Sequence, residues 1–152
     1  MRFLDIHSAM ASISKHITID ELLQTNDESA KYGLLLSSSD ALKLIEGRNL
    51  TIRNYGRVEL GIDVIKNIIS EFCRSPYISA PDYAVTLNEL IDIFYYMKNE
   101  TADKISDSDL IAIMRDYFNK SCHGSTELLK NRELAMIASL LKKASEHEGG
   151  ND

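Results

Sequence analysis

Cys122 and His123 are the residues best suited to covalent or metal chemistry in this sequence, since they place a thiol next to an imidazole. A thiolate and an imidazole can act as nucleophile and base, and each is also a metal ligand. Side chains of adjacent residues rarely face one another, so such a pair needs a third group from elsewhere in the chain. The other histidines are His7, His16 and His147, two of them in or near the terminal segments, and no C-x-x-C or H-x-x-x-H spacing occurs. The plainer reading is a turn set by Gly124, with His123 in water. Arg57 and Glu59 form a second candidate pair, in a short stretch bounded by Gly56 and Gly61. Polar loop residues are where function usually resides, but the structural alternative is an Arg57–Glu59 pair or a helix-end contact. Arg74, Ser75 and Tyr77 lie in a proline turn at the far end of the intervening helix. At about 1.5 Å per residue that is some 20 Å away, so the two turns are not expected to share a pocket. Cys122, His123, Arg57 and Glu59 remain weak catalytic candidates.

Phosphate and metal chemistry find less support. The glycines match neither G-x-x-x-x-G-K-[ST] nor G-x-G-x-x-G, so no nucleotide cofactor is expected. The connector from Lys98 to Asp109 has the outline of a calcium loop. Setting Ile105 at the apolar position 8 puts Lys98 at 1, Glu100 at 3, Ala102 at 5 and Asp109 at 12. The first is a cation and the third has no side-chain oxygen, so the sequence predicts no metal there. Two antiparallel helices with a capped loop between them account for the same residues.

These side chains are positioned by a helical framework. Ser79 to Phe118 reads as two amphipathic helices. Apolar residues fall at Tyr83, Leu87, Leu90, Ile91, Phe94 and Met97, then at Leu110, Ile111, Met114, Tyr117 and Phe118. Helices are expected near 38–55, 62–74, 80–99, 107–120 and 131–145. A helix over about 3–16 and a short one opened by a Thr18–Glu21 capping box precede them. Ser37 with Asp40 and Ser106 with Asp109 are further capping signals, Ser79 is an expected N-cap, and Gly33 and Gly56 are expected stops. Leu42, Ile45, Ile52 and Tyr55 mark the stripe of the helix over 38–55, weakened at Gly47. Leu128 and Leu129 mark a first short helical piece after the loop over 121–125, and Leu134, Ile137, Leu140 and Leu141 mark the main C-terminal one. The expected architecture is all-α, an irregular orthogonal or antiparallel bundle of five to seven helices. It forms one domain over 1–148 with a frayed polar tail at 149–152.

At 152 residues the chain can bury roughly 70% of its unfolded surface without a disulfide or metal staple. A net charge of −6 argues against unaided nucleic-acid binding and against docking on an anionic membrane. Two cysteines are too few for a disulfide framework, and Cys73 falls on a helical apolar stripe, where a thiol packs as a small hydrophobe. No run approaches the length of a membrane span. Asp5 and His7 interrupt any secretory signal, so a cytoplasmic location is expected. Phe3, Ile6, Met10, Ile13 and Ile17 recur every three or four residues. This stripe either covers the chain's own core or forms a homodimer seam, and the first is preferred because two heptads make a short coiled coil.

Several strings occur together: Tyr32-Gly33-Leu34, Gly56-Arg57-Val58-Glu59, Phe72-Cys73-Arg74-Ser75-Pro76-Tyr77-Ile78 and Phe94-Tyr95-Tyr96-Met97-Lys98-Asn99-Glu100. In these the chain resembles a family of small uncharacterised proteins of clostridia-like anaerobic bacteria, classed as a domain of unknown function. The resemblance spans about residues 20–140. It implies a bacterial cytosolic protein and carries over no activity, cofactor or site residue. With no nucleophile, metal or phosphate motif preferred over its plain structural reading, the expectation is a non-enzymatic interaction or regulatory module with an unidentified protein partner. The alternatives are an unrecognised small enzyme with a polar loop pocket and, against the charge, a DNA-associated regulator.

Overall fold

A computed structural model describes residues 17–149. Phe3, Ile6, Met10, Ile13 and the helix expected over 3–16 lie outside the described residues, as do the last three residues of the expected tail. Ile17, the final member of that stripe, is 63% exposed.

The described residues form helices joined by turns and loops, with no strand among them. α1 covers 17–23 and α2 is Asn26–Ser29, continued as a 3-10 turn over Ala30–Tyr32. Then come α3 (Ser38–Asn54), α4 (Asp63–Phe72), α5 (Tyr83–Glu100), α6 (Asp107–Asn119), α7 (Thr126–Leu128) and α8 (Ala135–Gly149). No described helix is long and apolar enough to cross a membrane.

The local signals act as their chemistry dictates. Gly33 (φ 74°) and Gly56 (φ 66°) take left-handed conformations just beyond helical segments. Ser37 and Asp40 exchange both bonds of a capping box, and the Ser106 hydroxyl accepts from the Asp109 amide at 3.2 Å. In the connector before α3, Leu34 and Leu36 enter the core. The Asn26 amide holds them there: its Oδ1 accepts from the Leu36 N–H at 2.8 Å and its Nδ2 donates to the Leu36 carbonyl at 2.9 Å.

Three expectations are corrected. Thr18 does not open a helix, because residues 17–23 are helical without a break. α5 starts at Tyr83 with Asp82 at its N-cap, and Ser79 and Pro81 lie in a preceding turn closed by Asp82 N–H to Ser79 O. α5 and α6 do not form a tightly paired hairpin: α5 packs on α3 and α4, and α6 on α4 and on residues 129–134.

Residues Leu129–Leu134 form a π-helical stretch that joins α7 to α8. A π turn carries about one extra residue, so Leu129 and Leu134, five apart, both reach the core. Beyond this register change Leu140, expected on the core stripe, faces solvent, and Leu128, which ends α7 ahead of it, is also partly exposed. Gly47 also has a packing reason. A Cβ there would sit 2.9 Å from Asn88 Oδ1 of α5, so glycine permits the close crossing of α3 and α5.

Candidate functional site

The site forms where the chain leaves α3. After Gly56, residues 57–60 take no regular secondary structure, and exposure alternates along them. Arg57 and Glu59 turn in toward the body, while Val58 is 83% and Leu60 99% exposed.

Glu59 is held by three elements. Its Oε2 accepts the Tyr95 hydroxyl hydrogen bond from α5, its Oε1 accepts from Arg57 Nε at 3.3 Å, and Arg48 Nη1 of α3 lies 3.8 Å from Oε2. The same Arg48 nitrogen donates to the Gly61 carbonyl at 2.6 Å and so ties down the far end of the loop. The Arg57 guanidinium lies 5.9 Å from the Tyr95 ring centroid and grips both Asp103 oxygens, with Nη1 to Oδ2 at 3.3 Å and Nη2 to Oδ1. This fork holds the Asp103 carboxyl below the usual carboxylate range and raises Arg57. Burial, with the bond to Glu59, pushes the Tyr95 phenol well up.

The loop after α5 completes the network. Ala102 (φ 51°) and Asp103 (φ 58°) take left-handed conformations. They fold the loop around the Lys98 ammonium, which is 4% exposed. Lys98 Nζ donates to the Ile105 carbonyl at 2.7 Å and sits 2.8 Å from Asp107 Oδ1 and 3.5 Å from Asp103 Oδ1. The buried ammonium thus gathers a carbonyl and two carboxylates of this loop.

Arg48, Arg57 and Lys98 thus balance Glu59, Asp103 and Asp107, but the two signs lie at different depths. The Arg48 and Lys98 side chains are deeply buried, and the Asp103 and Asp107 carboxylates face out, about half exposed. Beside Leu60, a cavity of about 300 Å³ is lined by Glu59, Leu60, Gly61, Asp63, Val64 and Asp107. A larger cavity of about 430 Å³ lies between residues 21–28 and α4, with Cys73 at its edge and Lys66 bridging to Glu21 at 3.2 Å. Burial raises the Cys73 thiol, which favours its protonated form.

Of the sequence candidates, Arg57 and Glu59 come together and bond to each other. Cys122 and His123 do not. Cys122 is buried, whereas His123 (φ 47°) faces out, with Nδ1 3.1 Å from the Tyr77 hydroxyl. Gly124 (φ 82°) closes this second loop against Tyr77, whose Cβ lies 2.4 Å from the place a Cβ on residue 124 would take. The proline turn spends its polar groups apart from the Arg57 loop: Arg74 bonds Glu28, Ser75 bonds Asn119, and Tyr77 reaches His123. Among the described residues no group of three or more His, Cys, Asp or Glu side chains converges as a metal set.

Sequence reasoning missed Arg48, Tyr95, Lys98, Asp103 and Asp107. The two cations did leave a signal. Arg48 stands in register with Ala41, Ile45 and Ile52, and Lys98 with Leu87, Ile91 and Phe94, so each places a charge on a buried helical stripe. Such a charge must find partners inside the fold.

No curated protein and no solved structure matches this sequence. The profile of a family of unknown function, DUF6323, matches residues 21–147, and the chain belongs to that family.

Proposed function

We propose that the protein is a non-enzymatic interaction module of the bacterial cytosol, and that the loop from Gly56 to Gly61 is its docking surface. One observation carries this reading: Leu60 is 99% and Val58 83% exposed on a segment that is otherwise held fast. Exposed apolar residues are common on loose loops. Here Arg48, Tyr95 and Asp103 fix the backbone from below, so the two apolar side chains are presented in a set geometry. Such preorganisation lowers the ordering cost of association. The polar groups beneath bond to one another, as suits a brace better than an acid or base. Both free cysteines are buried, in keeping with a reducing compartment. The exposed Ile17 supports a further proposed contact, with a second copy of the chain meeting through Phe3, Ile6, Met10, Ile13 and Ile17.

The test is a Val58→Ser/Leu60→Ser double variant used as bait in extracts of the cells that encode the protein. Substitutions at such exposed positions change stability by no more than about 0.5 kcal/mol, so the melting temperature should hold while the proteins retained by wild type are lost. An unchanged set of retained proteins would refute the proposal.

A further inference from the structure

The rim of this loop specifies the chemistry of its partner. We propose that the occupant is a protein segment carrying lysine or arginine next to apolar side chains, an inference that rests on the docking reading above. Three observations converge. The cavity beside Leu60 is lined by three carboxylates, those of Glu59, Asp63 and Asp107, and by no cationic side chain. Two of the cations that balance the network are held beneath, Arg48 and Lys98 at 4% exposure each, and the third, Arg57, is spent on Glu59 and Asp103, while the carboxylates reach the surface. Asp63, exposed in the first turn of α4, has no ion-pair partner among the described residues.

The surface a partner meets is therefore apolar at Val58 and Leu60 and negative alongside, with Arg48 and Lys98 buried and Arg57 already paired. An acidic segment would meet like charge there, and a purely apolar one would cover carboxylates without pairing them, which costs free energy. A basic residue in the cavity completes the carboxylates, and its apolar neighbours cover Leu60 and Val58. Paired charge chiefly supplies selectivity and rate of encounter, and apolar burial supplies affinity.

The experiment puts the photoreactive residue p-benzoylphenylalanine in place of Val58, which keeps that position apolar, and irradiates the full-length protein in its own cells. The cross-linked peptide is identified by mass spectrometry, with and without Asp63→Asn in the same chain. The expected adduct is to a partner segment with lysine or arginine within two residues of the attachment point, and Asp63→Asn should lower its yield by about five-fold. An adduct to a segment without a cation, to a second copy, or to the chain's own residues 1–16 overturns the basic-partner inference. A yield indifferent to Asp63→Asn does so as well. In the first and last of these cases the docking reading survives. No adduct at all overturns both.

Discussion

Replacing Lys98 with methionine tests whether a buried ammonium holds the loop between α5 and α6. Methionine keeps the length and volume of the lysine stem and removes only the charge and its donors. Three oxygens lose a contact, the Ile105 carbonyl at 2.7 Å, Asp107 at 2.8 Å and Asp103 at 3.5 Å, of which Asp103 keeps its Arg57 fork. The two carboxylates are about half exposed and rehydrate, so they add little. The Ile105 carbonyl is less free to do so, and an orphaned acceptor costs about 1–3 kcal/mol. Charge-assisted bonds are worth about 1.5–3 kcal/mol, and relief from burying the ammonium offsets part of their loss. The net expectation is a loss of about 2 kcal/mol, or a fall of about 4–8 °C in melting temperature for a chain of this size.

Lys142→Met is the matched control. Its Nζ also lies 2.8 Å from a carboxylate, Glu100, but the lysine side chain is 60% exposed. It should cost no more than about 0.5 kcal/mol. Urea melts of both variants give the comparison, and hydrogen exchange locates the effect. The Asp103 amide, bonded to the Lys98 carbonyl at 2.9 Å, should exchange faster in Lys98→Met alone. If the two variants lose equally little, bond length rather than burial governs these pairs, and Lys98 is not the cation that holds the loop.

Three further outcomes are expected. Gly124→Ala combines a left-handed backbone with a collision against Tyr77 and should cost at least about 2 kcal/mol by denaturant melt; a change below about 0.5 kcal/mol would mean that the loop shifts freely. Phe94, fully buried and edge-on to Tyr95 with ring centroids 4.9 Å apart, should cost about 3–5 kcal/mol on truncation to alanine, and a loss under about 1 kcal/mol would contradict its core position. Burial pushes the Tyr83 phenol up to about 12 and raises Tyr95 as well, above an unfolded value of about 10. The stability from keeping them protonated is complete below the unfolded value and lost as pH rises through it toward the folded ones. In an absorbance titration two of the seven tyrosines should stay protonated until the chain unfolds, and seven ionising together before unfolding would refute this.

The helices were legible because their signals are local. Apolar spacing within α4, α5 and α6 and the side-chain caps at Ser37 and Ser106 act over three or four residues. The π-helical stretch was not, because Leu129 and Leu134 satisfy a five-residue spacing that a 3.6-residue template reads as an interruption. The site was hidden by distance along the chain: Glu59 meets Tyr95 across 36 residues and Arg57 meets Asp103 across 46.

Arg48 and Lys98 show what a stricter reading would recover. Each sits where the helical register demands burial, and a buried charge without partners is too costly for a stable fold. The pattern therefore implies partner oxygens near both, before any coordinates exist. Acidic residues and carbonyls in the two nearest loops, 56–61 and 101–107, are the natural suppliers, and those loops provide Glu59, Gly61, Asp103, Ile105 and Asp107. The same logic assigns the outward residues. Glu59 is drawn in beside Arg48, Arg57 is drawn onto Asp103, and the alternation along the loop leaves Val58 and Leu60 outward. The exposure of the two apolar residues thus goes with the inward bonding of Arg57 and Glu59, and the brace and the surface it presents are one construction.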